Sequence, residues 1–247
     1  MDTEQFYYTR LAAAYVRGYL TRKNGLLPEG QQSAPDNRWQ EQIKSLVSGP
    51  LEELTFEELK ELVEVGRNLE LKMYRFKRNP ELLPRVKYAL GCLNGIYPES
   101  VCDVGSGRGV FLFPFLERFP WVNVTSIDLL PHRVCMLQDL SEGGIGQLTA
   151  MEADICSQPL ADDSVDVVTA LEVLEHIPDV RSAILSVVRM ARRYVIVTVP
   201  SKPDNNPEHI HLLTKNVLTE YFHEAGCERL QFGGVPGHLT LLAALPE

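Results

Sequence analysis

The stretch TALEVLEHIPDV (Thr169–Val180) brings two carboxylates and an imidazole within one turn of chain: Glu172, Glu175 and His176. If that turn is helical, the i, i+3 and i+4 spacing puts all three on one face. Three uses fit such a set: donors for a divalent cation, a base with helpers, or the solvated start of a helix after a buried strand. Further along, NNPEHIHLLTKNVLTEYF adds His209 and His211 as candidate partners. Two oxygen and two nitrogen donors would suit manganese, iron or cobalt better than magnesium, which prefers oxygen and keeps its waters. Without a metal, His176 or a neighbouring histidine is the candidate to accept a proton.

The elements that must position these groups follow from the rest of the chain. At 247 residues there is room for one α/β core with an accessory region. From Asp2 to about Tyr97 no strand pattern occurs, and FEELKELVEVGRNLELKMYRF repeats its apolar residues at helical spacing. GLLPEGQQSAPDNRW interrupts this helical part with Gly, Pro, Ser and Asn. After Pro98 the short β-branched runs SVCDVG, VNVTSID, GQLTAMEAD, VDVVTAL and RYVIVTV alternate with helix-length stretches. That alternation predicts a doubly wound parallel sheet with helices on both faces. CERLQFGGVPGHLTLLAALP reads as a terminal antiparallel hairpin closing the sheet edge. The expected division is a helical region, 1–97, serving as lid or acceptor region, and an α/β domain, 98–247. Phe6, Tyr7, Tyr8, Tyr15 and Tyr19 are either the lining of that lid or packing residues.

Composition excludes several classes. A formal charge of −9 disfavours long duplex nucleic acid, because neutralising phosphates supplies most non-specific affinity. The basic run YRFKRNPELLPRVK (Arg75, Lys77, Arg78, Arg85, Lys87) is a possible local patch whose first reading is a solvated helix face and a loop. No segment approaches the roughly 20 apolar residues of a membrane span. The acidic start MDTEQF is unlike a secretory signal. Five cysteines, widely spaced and without a C-x-x-C pair, suit buried thiols in a reducing compartment, so a cytoplasmic protein is expected.

SVCDVGSGRGVFLFPFLERF carries the second chemical signal. Gly105, Gly107 and Gly109 follow a strand and open a helix, where backbone N–H groups can approach a ligand. The third glycine of a dinucleotide fingerprint is replaced by Val110. Asp103 stands two residues before the first glycine, a position suited to a ligand carrying positive charge. Asp128 ends the next strand, where a carboxylate can accept both hydroxyls of a ribose. Asp154 ends the third strand-like run, within reach of an exocyclic amine. One such acid is commonly a helix cap or loop residue; three at successive strand ends, with the glycine loop, are far more specific.

VCDVGSGRGVF, TSIDLLP, MEADICSQPLADDSVDVVTALEVLEHIPD and HLLTKNVLTEYFHEAGC resemble the successive motifs of class I S-adenosylmethionine-dependent methyltransferases, over about Pro98 to Glu247. The resemblance implies a Rossmann-like seven-stranded sheet with a reversed last strand and the cofactor across the strand ends. It implies Asp103 near the methionine end, the glycine loop beside the cofactor, Asp128 on the ribose and Asp154 on the adenine amine, with Leu129, Ile155 and Leu171 alongside. The glycine spacing and the lack of a Tyr-x-x-x-Lys pair oppose a nicotinamide enzyme. LEVL stands where DNA amine methylases carry an Asn/Asp-Pro-Pro-aromatic tetrad. A non-catalytic binding protein of the same fold has no physical need for the acids and glycines. E-x-x-E-H also resembles the metal site of enzymes that methylate the 3′-terminal 2′-hydroxyl of small RNAs and of some ubiquinone-pathway catechol O-methyltransferases. In the RNA-end enzymes the last ligand stands five residues before a Thr-Arg-like pair, which here, with Thr214-Lys215, selects His209. Two readings stay open: Glu172, Glu175, His176 and His209 as one divalent-metal site (manganese, iron, cobalt or magnesium), or a metal-free pocket wall with His176 near the acceptor. The expected acceptor is a small-molecule hydroxyl, with an RNA 3′ end as the second expectation.

Overall fold

A computed structural model describes residues 3–23, 37–76 and 82–246. Most of the Gly/Pro-rich interruption, with Lys77 and Arg78 of the basic run, lies outside the described residues. By internal contacts the chain divides into two compact units, Met1–Pro80 with His132–Ala150, and Glu81–Pro131 with Met151–Glu247.

The seven strands are β1 (Ser100–Val104), β2 (Asn123–Asp128), β3 (Leu148–Glu152), β4 (Val165–Leu171), β5 (Ala191–Pro200), β6 (Arg229–Val235) and β7 (His238–Ala244). They form one sheet in the order β3-β2-β1-β4-β5-β7-β6. β1 pairs in parallel with β2 and β4, and β4 with β5, whereas β7 runs antiparallel between β5 and β6. This is the doubly wound sheet with reversed last strand that the alternation and the resemblance imply. The central strands are buried along almost their whole length, as expected for parallel strands covered on both faces.

The helices are α1 (Thr3–Arg22), α2 (Asn37–Ser48), α3 (Phe56–Asn68), α4 (Pro84–Ile96), α5 (Leu112–Arg118), α6 (Pro131–Glu142), α7 (Val180–Met190) and α8 (Lys215–Glu224). Their starts are legible in the sequence: Thr55 and Glu58 form a reciprocal capping box on α3, Pro84 opens α4, and Thr214 caps α8 through Val217 N–H.

In the first unit α1 buries Leu11, Ala13, Ala14, Val16 and Leu20. It lies so close to α6 that a Cβ on Gly18 would collide with the carbonyl of Asp139, and one on Gly143 with the carbonyl of Ala14. Arg22 grips the buried Asp139 carboxylate with two hydrogen bonds of 2.8 Å. Phe6 packs on Phe56 and Tyr15 on Phe76, with ring centroids 5.8 and 5.3 Å apart. Phe6 and Tyr15 thus pack on aromatic rings of their own unit.

Candidate active site

All the strand-end residues lie in the second unit, and parallel strands place their carboxyl ends along one edge of the sheet, where ligands bind in such folds. Gly105, Gly107 and Gly109 hold φ values of +67, +58 and +80°, a left-handed run that L side chains resist. A Cβ at Gly105 would press on Val173, and one at Gly109 on the ring of Phe113. The loop is further tied by Gly105 N–H to the Ile127 carbonyl at 2.7 Å.

Asp103, at the end of β1, is enclosed by hydroxyls. It is 2% exposed; Oδ1 accepts from the Thr169 hydroxyl at 2.7 Å and Oδ2 from the Ser106 hydroxyl, which also meets Ser126. Burial pushes its pKa up to about 6 against those two hydroxyls. Its carboxylate therefore acts as a brace, tying the glycine loop to β4 through neighbours that spacing did not reveal. Asp128, 4% exposed at the end of β2, accepts from Gly107 N–H at 3.2 Å and Leu130 N–H at 2.9 Å. These two N–H groups fix the carboxylate at the end of β2, one oxygen each. Asp154 stands beyond the end of β3, exposed, and caps a short 3₁₀ turn through Cys156 N–H at 2.9 Å. Leu129 is 64% exposed beside Asp128, while Ile155 is buried and Leu171 half-buried.

The turn after β4 is not the α-helical turn that a shared face requires. Glu172 has φ +59° and only Leu174–His176 form a 3₁₀ turn. The expected four-residue set consequently separates. The ligand atoms of Glu175, His176 and His209 lie within 4.8 Å of one another; Glu172 is held elsewhere, by the Thr198 hydroxyl at 3.1 Å and by His238 Nε2 at 2.9 Å.

The three-residue cluster is built to leave donors unused. His176 Nδ1 donates to the Glu208 carbonyl at 2.8 Å, and His209 Nδ1 faces Asp204 Oδ2 at 2.8 Å. Each ring therefore keeps the Nε2 lone pair available, the arrangement in which an outer partner orients a metal-ligating imidazole. The rings meet edge to face with centroids 4.8 Å apart. Glu175 is fully buried and neither carboxylate oxygen has a hydrogen-bond partner. Burial pushes its pKa up to about 8, with the charge of Glu172 adding to it. A buried carboxylate without a hydrogen-bond partner and two imidazoles, with ligand atoms within 4.8 Å of one another, are a donor set of the kind that divalent cations take. His211, the other candidate, donates from Nε2 to the Ile177 carbonyl at 3.0 Å and clasps the loop. Asp204 and His238 escaped sequence reading. Asp204 lies in a Pro/Asn-rich loop with no periodic pattern, and His238 reaches the edge only through the register that sets it opposite Pro200.

Residues 102–197 match the family described as "Methyltransferase domain". The ubiquinone biosynthesis O-methyltransferase of Vibrio cholerae serotype O1 is 29% identical over 147 residues, 59% of this chain and 55% of that protein. The enzyme of the same description from Aeromonas salmonicida is 33% identical over 114 residues, 44% and 47% of the two chains. The chain thus spans about half the length of the curated relatives it matches. Among solved structures, the Haemonchus contortus phosphoethanolamine N-methyltransferase 2 complex with S-adenosylhomocysteine superposes with a TM-score of 0.55 at 13% identity, covering 65% of this chain and 53% of that one, a likeness of fold. With its glycine loop, its buried acid closing β2 and its reversed β7, the chain carries a methyltransferase domain over residues 102–197 and is similar to the class I S-adenosylmethionine-dependent methyltransferases.

Proposed function

We propose that the protein transfers a methyl group to a hydroxyl oxygen of a small acceptor carrying two adjacent hydroxyls, a catechol or similar diol, held at Glu175, His176 and His209. The observation that carries this reading is the buried Glu175 carboxylate, neither oxygen of which has a hydrogen-bond partner, with ligand atoms of His176 and His209 within 4.8 Å. The names of the ubiquinone-pathway relatives support it. Among the described residues no helix is long and apolar enough to cross a membrane.

Bound S-adenosylmethionine supplies a sulfonium methyl for in-line displacement by the acceptor oxygen, and a divalent ion at the cluster would act as a Lewis acid toward that hydroxyl. The chain's own part is alignment. Asp128 would hold the ribose, Asp103 keeps the glycine loop on β4, and the cluster fixes the acceptor oxygen in place. Orientation of this kind accounts for a large share of a bimolecular barrier.

The test is methylation of 3,4-dihydroxybenzoate by protein stripped with EDTA and then supplied with manganese, cobalt or magnesium. Activity should vanish on stripping and return with a transition metal, and Glu175→Gln should weaken manganese binding by about 10- to 100-fold, the range for disturbed metal shells. Equal activity in EDTA and in manganese would remove the metal from this reading.

A further inference from the structure

The groups that hold the two histidines of the cluster come from one short stretch between β5 and α8, PDNNPEHIH (Pro203–His211). Asp204 Oδ2 faces His209 Nδ1 at 2.8 Å, and the Glu208 carbonyl faces His176 Nδ1 at 2.8 Å. Carboxylate and carbonyl oxygens only accept, so each imidazole, when neutral, carries its proton on Nδ1 and its lone pair on Nε2. The two partners differ in charge. His176 faces a neutral carbonyl, whereas His209 faces an anion.

The stretch builds this arrangement from its own side chains. Asp204 Oδ1 accepts from Asn206 N–H at 2.9 Å, and Asn206 Oδ1 accepts from Glu208 N–H at 3.1 Å. Two successive turns, closed by an Asp and then an Asn side chain, therefore set both outer partners. The Asn206 carbonyl accepts from His209 N–H at 3.1 Å, and Ile210 and His211 N–H both donate to the Glu175 carbonyl, at 3.0 and 3.2 Å. One run of chain thus ties Glu175, His176 and His209 together.

Folding stability does not explain a carboxylate at position 204. Its side chain is 43% exposed and that of His209 17%, and a pair screened by solvent in this way contributes little to folding. An acid behind an imidazole has another effect: it fixes the tautomer and the ring, and it raises the basicity of the opposite nitrogen. With Glu175, Asp204 also brings two negative charges to the cluster, the charge of one divalent ion.

We propose that Asp204, held by Asn206, is a positioning residue that locks His209 with its proton on Nδ1 and its Nε2 lone pair free for a divalent ion. This rests on the reading above in which Glu175, His176 and His209 hold such an ion. Asp204 is not one of the cluster's donors and acts through the His209 ring. Both of its oxygens are needed. Asp204→Asn keeps one oxygen for two donors, Asn206 N–H and His209 Nδ1–H, that stand at separate oxygens in the parent.

Two measurements test it. Calorimetry with manganese(II) chloride alone should show binding weakened about 10- to 100-fold in Asp204→Ala and about tenfold in Asp204→Asn, the range for disturbed outer partners of metal ligands. The urea midpoint of the metal-free protein should not move. Long-range proton–nitrogen NMR of metal-free ¹⁵N-histidine protein at about pH 8, above the usual imidazole range, should show His209 protonated on Nδ1 in the parent and largely on Nε2 in Asp204→Ala. Asn206→Ala should also weaken manganese binding, and Asn206→Asp, which keeps an oxygen for Glu208 N–H, should restore it. Manganese affinity within twofold of the parent in Asp204→Ala, or a parent His209 protonated on Nε2, overturns the role of Asp204 alone. Weaker binding that comes with a lower urea midpoint and an unchanged His209 tautomer makes the residue structural and overturns the role as well. Parent protein that takes up no manganese, while the His209 signature stands, overturns the metal reading and with it this role.

Discussion

Asp103 and Glu172 show how acids at strand ends come to hold different partners. Both are acids at strand ends, yet Asp103 is enclosed by the hydroxyls of Ser106 and Thr169, and Glu172 is turned by its backbone toward His238. The enclosure of Asp103 has a pH consequence. Its folded pKa of about 6 stands above the reference value of 3.8. Between those values the folded chain holds a proton that the unfolded chain has lost, so stability falls as pH rises from about 4 to above 6. Two pH units correspond to on the order of 3 kcal/mol. In Asp103→Asn the side-chain oxygen can still accept from Thr169 and the amide can donate to Ser106. That variant should lose this slope, and its urea midpoint between pH 6 and 8 should match or exceed that of the parent. An unchanged slope with a large loss at pH 7 would mean that the charge itself braces the loop. The difference between the two proteins isolates Asp103 from Glu175, whose raised pKa adds a slope of the same sign in both.

Among the elements, α1 and α6 depend on small residues, and β7 on register. Ala14 and Gly18, one turn apart on α1, meet Asp139 and Gly143, one turn apart at the end of α6, backbone to side-chain-free face. Close packing of this kind has no slack. Gly18→Val should cost at least the 1 to 3 kcal/mol typical of overpacking, read as a lower urea midpoint at constant m-value. Unaltered stability would mean that the helices do not approach this closely in solution. β7 illustrates the other dependence. The hairpin and its turn are legible in FGGVPGHLTLL, because two β-branched and leucine runs flank a Gly/Pro break. That His238 meets Glu172 is not legible, since a shift of one residue would turn the ring to the other face.

For the whole molecule, the division by contact differs from the one that sequence suggests. α4 belongs with the unit that holds Asp103, Asp128 and Asp154, and most of α6 with the N-terminal helices. Because α1 buries its apolar stripe within that first unit, deleting residues 1 to 40 is expected to abolish cooperative unfolding rather than merely open a lid. Calorimetry and circular dichroism of the truncated chain decide this. A truncated protein that still melts cooperatively and binds S-adenosylmethionine, but no longer methylates, would return these helices to the role of a lid.

What the sequence by itself determined is what local pattern governs. β-branched runs alternating with helix-length stretches set the parallel sheet; glycines at fixed spacing after β1 set the loop; acids close successive runs along one edge. These are short-range properties of the backbone, so they survive without knowledge of the packing. Only the tertiary structure decided which of the four candidate ligands stay together, because Glu175, His176 and His209 come from two loops joined by hydrogen bonds of His176 to Glu208 and of Ile210 N–H to the Glu175 carbonyl. It alone removed Glu172 from that group, through one left-handed residue and the antiparallel pairing of Pro200 with His238. A side chain's partner depends on register and turn conformation across dozens of intervening residues, and that information appears only when the strands are side by side.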